Sequence, residues 1–280
     1  MKNIVIVPNA KKDKELSVTA KLSELLVGIG MNVYIKEEYA AFCRRAVGYS
    51  VFPEFCELII VVGGDGSVID ASGLAVKHDI PLIGVNMGRV GYLSEVDPDD
   101  LSVFKRLSFG EYSVKEKMLL SVSTSPSWSH EAYAVNDVIV SHGEYLGISS
   151  FRLEDALGNS LGYRADGVIF ATPQGSTAYS FSSGGPVLAH DVEGILVTPV
   201  CPHSFFNRSV LFNSGEVLTV RNTGEHPMNI AVDGRKYTEL LPNEACYIRR
   251  ADCRLKTLTF SENKMFEELF KKMSVTEGLK

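Results

Sequence analysis

Cysteine is scarce in this chain: there are five among 280 residues. The number is odd and no Cys-x-x-Cys pair occurs, so neither a disulfide framework nor a zinc site is indicated. Cys43, Cys56, Cys201, Cys246 and Cys253 are therefore expected to be buried apolar residues in a reducing compartment, and we place the chain in the cytoplasm. The six histidines are dispersed with no His-x-x-x-His pair, so no protein metal site is expected. Long apolar runs are missing too. Ile4 to Val7 is too short for a signal-peptide core, and no run is long enough to span a bilayer, so no membrane association is expected. Positive charge is in deficit, with 28 Lys and Arg against 34 Asp and Glu and a formal net charge of -6. That argues against a sequence-blind nucleic-acid binder, whose affinity rests on many cations neutralising phosphates. A small-molecule partner fits better. If that partner is a polyanion, the global field repels it, and backbone N–H groups, a few arginines and a divalent cation must hold it locally.

The composition is that of a folded protein, 45% hydrophobic and 22% charged, long enough for one large domain or two modest ones. The first third alternates short β-branched runs with amphipathic stretches, the pattern of helices layered on a parallel sheet. Ile4 to Val7 is predicted as a strand. Asp13 to Val27 is predicted as a helix carrying Leu16, Ala20, Leu22, Leu25 and Leu26, and is followed by a strand over Asn32 to Ile35. Residues 36 to 56 give no clear pattern. Leu58 to Val62 reads as a central strand buried on both faces, and Gly63-Gly64-Asp65-Gly66-Ser67 then leads into a helix to about Lys77. A strand over Pro81 to Val85 and a helix over Pro98 to Leu107 complete this part. From about Glu111 the pattern changes to strands with turn signals, at Tyr112–Thr124, Glu131–Ser141, Ile148–Asp155, Gly162–Ala171, Gly194–Val200, Glu216–Arg221, Met228–Val232 and Glu244–Arg250. The tail from Ser261 to Met273 has helical spacing of Met265, Phe266, Leu269 and Phe270. The expected organisation is an α/β N-terminal domain with a Rossmann-like parallel sheet (residues 1–110), an all-β domain (111–255), and a segment 256–280 returning to the first domain.

Two segments carry chemistry. Gly63 to Ser67 lies where a buried strand hands over to a helix, at the carboxyl edge of a sheet, where ligands of open α/β folds bind. Glycines let the backbone approach a phosphate, and the helix N-terminus supplies N–H groups and a favourable dipole. Asp65 would repel that anion, so its better use is to accept the proton of an attacking hydroxyl or to share a divalent cation with the donor's phosphates. The segment is neither a Walker A loop, since no Gly-Lys dipeptide occurs in the chain, nor a Rossmann fingerprint. The second segment, Gly162 to Pro186, is rich in glycine and small hydroxyl residues. Ser176, Thr177, Tyr179 and Ser182 match ribose hydroxyls, amides and phosphate oxygens, and Gly175 permits a sharp entry into a short helix. Gly158-Asn159-Ser160-Leu161-Gly162 fits the nucleophile-elbow pattern by letter, but falls between two expected strands and is read as a hairpin turn. His203 is read as structural, and Trp128 as a partly buried or interface anchor.

Taken together, Gly63 to Ser67, Asn86 to Leu93, Asn136-Asp137, Gly175 to Tyr179, Pro202-His203-Ser204 and Asp233-Gly234 appear in the order seen in NAD kinases. The sequence strongly resembles that family over nearly the whole chain. The Gly-Ser-Thr-Ala-Tyr run is the specific part, because the Gly-Gly-Asp-Gly loop is shared with diacylglycerol, sphingosine and phosphofructo kinases. The resemblance implies an enzyme that uses ATP and Mg2+ or another divalent cation to phosphorylate the adenosine ribose 2'-hydroxyl of NAD, with no tightly bound prosthetic group and with Asp65 catalytic. It implies a nucleotide-binding set of Gly63, Gly64, Gly66, Ser67, Asn136, Asp137, Arg164, Asp166, Gln174, Thr177, Ala178, Tyr179, Ser180, Phe181, Ser182 and Arg235. It further implies a homodimer or homotetramer with sites near subunit contacts. Two positions depart from the family pattern: Asp137 stands where relatives often carry Glu, and Arg235 where several bacterial relatives carry Gln. A lipid or sugar kinase sharing the glycine loop, or a sensor that binds NAD or NADP without turnover, are the alternative readings.

Overall fold

A computed structural model describes residues 1–88, 91, 93–145 and 147–261. The helix expected over Ser261–Met273 lies, past Ser261, outside the described residues, as do Arg89, Val90 and Tyr92 of the Asn86–Leu93 motif. The chain divides into two units, one of Met1–Glu116 with the chain from Leu255 onward, the other of Lys117–Arg254.

The first unit is the α/β unit that the alternating pattern predicts. Strands β1 (Asn3–Pro8), β2 (Asn32–Lys36), β3 (Val47–Tyr49), β4 (Leu58–Gly63), β5 (Leu82–Asn86) and β6 (Ser94–Val96) pair in parallel. Their order is β3-β2-β1-β4-β5, with β6 beside β5. β4 is buried at every residue, as expected of a central strand covered on both faces. Helix α1 (Ser17–Gly28) begins later than its periodicity suggests, because Lys14–Leu16 forms a three-ten turn in which Glu15 and Leu16 adopt positive φ. That turn brings Asp13 back over the first turn of α1. There its buried carboxylate accepts the amides of Val18 (3.0 Å) and Thr19 (2.9 Å) and the Thr19 hydroxyl (2.6 Å). Helix α2 (Asp65–His78) follows β4 directly. The helix expected over Pro98–Leu107 is a three-ten helix, Leu101–Phe109. The core joins Ile4, Ile6, Leu22, Leu26, Leu58, Ile60, Val62 and Phe104 with Leu258 and Phe260 from the returning segment. That segment pairs Thr257 with Leu82, and Phe260 meets Phe104 edge-on at 5.5 Å.

The second unit is all β apart from helical turns. Its strands are β7 (Ser113–Ser123, starting in the first unit), β8 (Ala132–Ala134), β9 (Asp137–His142), β10 (Ser149–Glu154), β11 (Ser160–Ala165), β12 (Gly167–Ala171), β13 (Gly194–Val200), β14 (Val210–Asn213), β15 (Val217–Asn222), β16 (Met228–Val232), β17 (Arg235–Leu240) and β18 (Ala245–Thr259, ending in the first unit). One antiparallel sheet has the order β14-β13-β12-β9-β16-β17; facing it are β11-β10-β15-β18 and the β7–β8 pair. Val138, Val140, Val168, Phe170 and Ile230 of the first pack in one core with Phe151, Leu153, Val220 and Ile248 of the second.

Several expectations are corrected. The strand predicted over Glu131–Ser141 breaks at Val135–Asn136, and the one over Gly162–Ala171 breaks at Asp166, where the chain passes from one sheet to the other. β14 and β17 had no sequence prediction, and β18 runs on to Thr259 rather than stopping at Arg250. Cys201 is exposed, not buried, because it occupies a turn at the end of β13 with φ 45°. Gly158 to Gly162 is the hairpin region expected: the turn Asp155–Asn159 joins the antiparallel strands β10 and β11, so no strand-to-helix elbow presents Ser160.

Candidate active site

In the first unit the candidate residues gather where β4 ends. Asp65 is the first residue of α2 and follows the extended Gly64. Its Oδ1 accepts the Leu93 amide at 3.1 Å and the Ser94 hydroxyl at 3.3 Å. Burial pushes its carboxyl above the usual carboxylate range, and those hydrogen bonds and the charge of Lys12 pull it part of the way back. Gly63 is required by close approach, since a Cβ there would run into the Ser67 side chain and reach within 3.3 Å of Asn9 Cβ. Ser67 is drawn in by an Asn9 Nδ2 donor at 2.8 Å. Gly66 has open space around its missing Cβ. The result is a half-buried carboxylate at the positive end of a helix dipole, beside a backbone stripped of side chains, which suits a phosphate-bearing ligand and a proton acceptor.

In the second unit the hydroxyl-rich segment and the Asn136-Asp137 pair meet at one end of the β14-to-β17 sheet, where Ala171 of β12 pairs with Asp137 of β9. The Asn136 backbone is clamped from two sides. Its carbonyl accepts the Thr172 amide (2.9 Å), while the Thr172 hydroxyl donates to Val135 O (2.7 Å) and accepts the Gly175 amide (2.9 Å). A Cβ at Gly175 would collide with the Asn136 carbonyl, so close contact, and not only turn freedom, demands glycine here. From the other side Asp233, in the β16–β17 turn, accepts the amides of Val135 (2.8 Å), Asn136 (2.7 Å) and Asp137 (3.1 Å). Asp233 is a site-building residue that the sequence reading left out of the nucleotide-binding set. The Asp-Gly dipeptide between two strands was the available signal, being a strong hairpin marker.

Asp137 is 4% exposed. Burial first, and then the neighbouring Asp233 carboxylate, push its pKa up to about 7. Burial also raises Asp233, while the three amide donors and the nearby Arg235 act in the opposite direction. The charge of the pair therefore resides first on Asp233, and Asp137 holds its proton up to neutrality.

The hydroxyl-rich segment divides into structural and outward-facing groups. Ser176 is buried and donates to Pro173 O at 2.7 Å while accepting the Leu188 amide at 3.0 Å. Thr177 donates to the carbonyl of the buried Gln174 at 3.2 Å. Ser180 heads a hydroxyl chain that runs through the buried Thr198 to the half-buried Ser209, each step 2.9 Å. Helix α3 (Tyr179–Ser182) leaves Tyr179 and Phe181 exposed, at 45% and 47%, with Ser182 also exposed and Ala178 half-buried. Arg235 is exposed on β17, next to the Asp233-Gly234 turn.

Arg164 and Asp166 lie elsewhere. Asp166 leads into Gly167, which pairs with Ser141 four positions along β12 from the Ala171–Asp137 pair, about 13 Å at ~3.3 Å per residue, while Arg164 lies on β11 of the facing sheet, opposite Ser150. They are tied there by backbone bonds: His142 N to Asp166 O (3.0 Å), Asp166 N to Val200 O (3.0 Å) and His203 N to Arg164 O (2.7 Å). Among the described residues no group of three or more His, Cys, Asp or Glu side chains is placed to hold a metal ion, and no helix is long and apolar enough to cross a membrane.

These two arrangements coincide with two family models, the ATP-NAD kinase N-terminal domain over residues 4–112 and the ATP-NAD kinase C-terminal domain over residues 135–260. The NAD kinase of Lachnoclostridium phytofermentans is 32% identical over 96% of this chain and 98% of its own. The chain belongs to the NAD kinase family. Its family members include the NAD kinase of Natranaerobius thermophilus, 30% identical over 98% of each chain. The fold is likewise that of solved family members. A yeast NADH kinase complexed with NADH superposes with a TM-score of 0.85 at 21% identity, over 98% of this chain and 88% of the other. An Archaeoglobus fulgidus NAD kinase in complex with ATP gives 0.74 at 22% identity, over 98% and 99%. Membership makes the chain a phosphotransferase, and phosphorylation of NAD to NADP at the expense of ATP is the reaction it implies.

Proposed function

We propose that this NAD kinase family member transfers the γ-phosphoryl group of ATP to the 2'-hydroxyl of the adenosine ribose of NAD, with Asp65 as proton acceptor. The observation that carries this reading is the placement of Asp65. It is a carboxylate raised in pKa by burial, fixed by Leu93 and Ser94, at the mouth of a glycine loop built for phosphates. A raised pKa makes it the stronger base. In the step, the ribose oxygen bonds to the γ-phosphorus, the bond from that phosphorus to the β–γ bridging oxygen breaks, ADP departs, and the hydroxyl proton passes to Asp65. Gly63, Gly64, Gly66 and Ser67 present backbone and hydroxyl to the donor's phosphates.

On the second unit, Asn136 and Asp137 hold the adenosine portion, and the Gln174–Ser182 segment lines the dinucleotide. Three outward groups of α3, Tyr179, Phe181 and Ser182, offer direct contact. The clamped Asn136 backbone and the buried hydroxyls of Thr177 and Ser180 keep that surface in one shape, so most of their contribution is positioning. A protonated Asp137 can donate a hydrogen bond as well as accept one.

The carboxylate of Asp65 and the donor's phosphate oxygens are hard oxygen ligands of the kind Mg2+ takes, and such a cation would supply charge neutralisation during transfer. Arg164, on β11 of the facing sheet, and Asp166, beyond the far end of β12, stand away from the Asp137 end, and their contact with the dinucleotide is assigned to a second copy in a homodimer or homotetramer. Five unpaired cysteines suit the cytoplasm. Incubating the purified chain with ATP, MgCl2 and NAD, and detecting NADP with an NADP-specific dehydrogenase, tests the reading. NADP should accumulate with one ADP for each NADP, and hydrolysis of ATP without NADP would overturn it.

A further inference from the structure

The loop leaving β1 carries a cation that no motif of the sequence singles out. β1 and β4 are adjacent parallel strands, with Pro8 beside Val62, so the chain leaving β1 runs alongside the glycine loop leaving β4. Asn9 ties the two together. Its amide donates to Val62 O at 2.8 Å, its carbonyl accepts the amides of Lys12 and Asp13 at 2.9 Å, its Oδ1 accepts the Lys11 amide at 3.1 Å, and its Nδ2 donates to Ser67 Oγ at 2.8 Å. The turn closed in this way lays the Lys12 ammonium over Gly64, so near that a Cβ on the glycine would collide with it. The main chain on the far side is also fixed, because Asp13 is buried as the acceptor for the first turn of α1.

An ammonium beside the N-terminus of α2 is unfavourable by itself, because it adds positive charge to the positive end of the helix dipole. One carboxylate, Asp65, faces both. Two converging positive features around a side-chain-free backbone are electrostatically balanced by an anion carrying more than one charge, and a nucleotide's terminal phosphates are such an anion. With a net charge of -6 on the chain, a local cation at this point has a large share in holding a polyanion.

We infer that Lys12 is a catalytic residue of the phosphoryl transfer, its ammonium binding the terminal phosphates of the donor and neutralising the charge that builds on the departing β-phosphate. This rests on the reading of Gly63–Ser67 as the donor loop. Asp65 and Lys12 then act on opposite sides of the same transfer, one taking a proton from the acceptor and the other steadying the leaving group.

The test compares wild type, Lys12→Met and Lys12→Arg in steady-state NADP formation and in calorimetric titration with MgATP. Lys12→Met should lower kcat/KM for ATP by roughly 10- to 100-fold, the scale of losing a charge-assisted hydrogen bond, while the KM for NAD stays within about twofold. The side chain is exposed, so the melting temperature should not move, and Lys12→Arg should recover most of the loss because the charge returns. MgATP affinity should fall in Lys12→Met alone. Unchanged kcat/KM and MgATP affinity in that variant overturn the inference, as does an equal loss toward both substrates. Should wild type form no NADP, the proposed reaction fails, while weaker MgATP binding by Lys12→Met would still support the phosphate contact.

Discussion

At the scale of single residues, two of the carboxylates with raised pKa values, Asp65 and Asp137, make separate predictions. Asp65→Asn keeps an acceptor for the Leu93 amide, so the variant should fold and bind NAD as wild type does. It should lose roughly two to four orders of magnitude in kcat, the range for a missing general base. NADP formation and calorimetry with NAD check this, and near-normal turnover would remove Asp65 from the role. Asp137 is a test of linkage. Its folded pKa of about 7 lies above the ordinary value of 3.8, so from about pH 4 to 7 the unfolded chain has released a proton that the native state retains. Unfolding free energy should therefore fall as pH rises through that window, by on the order of a few kcal/mol, and level off above it. Asp233, raised in the same direction, adds to the slope. Urea unfolding of wild type and Asp137→Asn at pH 4.5 and 8, followed by the single tryptophan, Trp128 of the second unit, should show a much smaller pH difference in the variant; equal differences would refute the assignment. Asp65 was legible from the sequence because a carboxylate among glycines stands out chemically. Lys12 was not, because a lysine in Lys11-Lys12-Asp13-Lys14 reads as solvated surface until the adjacency of β1 and β4 is known.

At the scale of elements, local patterning sufficed where local forces decide. The apolar run of β4 and the glycines after it predict both the central strand and the turn into α2. It failed where a distant partner intervenes. The alternation over Glu131–Ser141 continues through Val135 and Asn136, yet the strand breaks because those amides turn to Asp233, nearly a hundred residues away. Likewise nothing local at Asp166 announces that the chain there changes sheets. The start of α1 was misplaced because Asp13 reaches over an intervening three-ten turn instead of standing next to the helix it serves. Asp13→Ala leaves the part-buried Val18 amide, the buried Thr19 amide and the Thr19 hydroxyl without their acceptor, which should cost about 1–3 kcal/mol. Chemical denaturation measures it, and a change indistinguishable from zero would mean that α1 is satisfied by other means.

At the scale of the whole molecule, each unit has its own core, but the first is not built from one stretch of chain. Leu258 and Phe260 complete it, while Glu95 Oε1 accepts the Thr259 hydroxyl (2.7 Å) and the Phe260 amide (2.8 Å), and Arg106 donates to Phe260 O (2.7 Å). Phe260→Ala should destabilise the first unit by ~3–5 kcal/mol through the cavity beside Phe104. Hydrogen exchange should report faster opening of β1, β4 and β5, with the second unit's central strands β9 and β12 unaffected; uniform acceleration throughout would contradict separate cores. The late return of that segment also bears on biosynthesis. The first 116 residues leave the ribosome with Leu82 of β5 lacking its Thr257 partner and two core side chains missing. About 140 residues of the second unit must be made before the remainder arrives, a wait of roughly 7 to 28 s at about 5–20 residues per second. During that interval the nascent α/β unit exposes apolar surface and unpaired strand groups, so the growing chain should be a client of ribosome-associated chaperones.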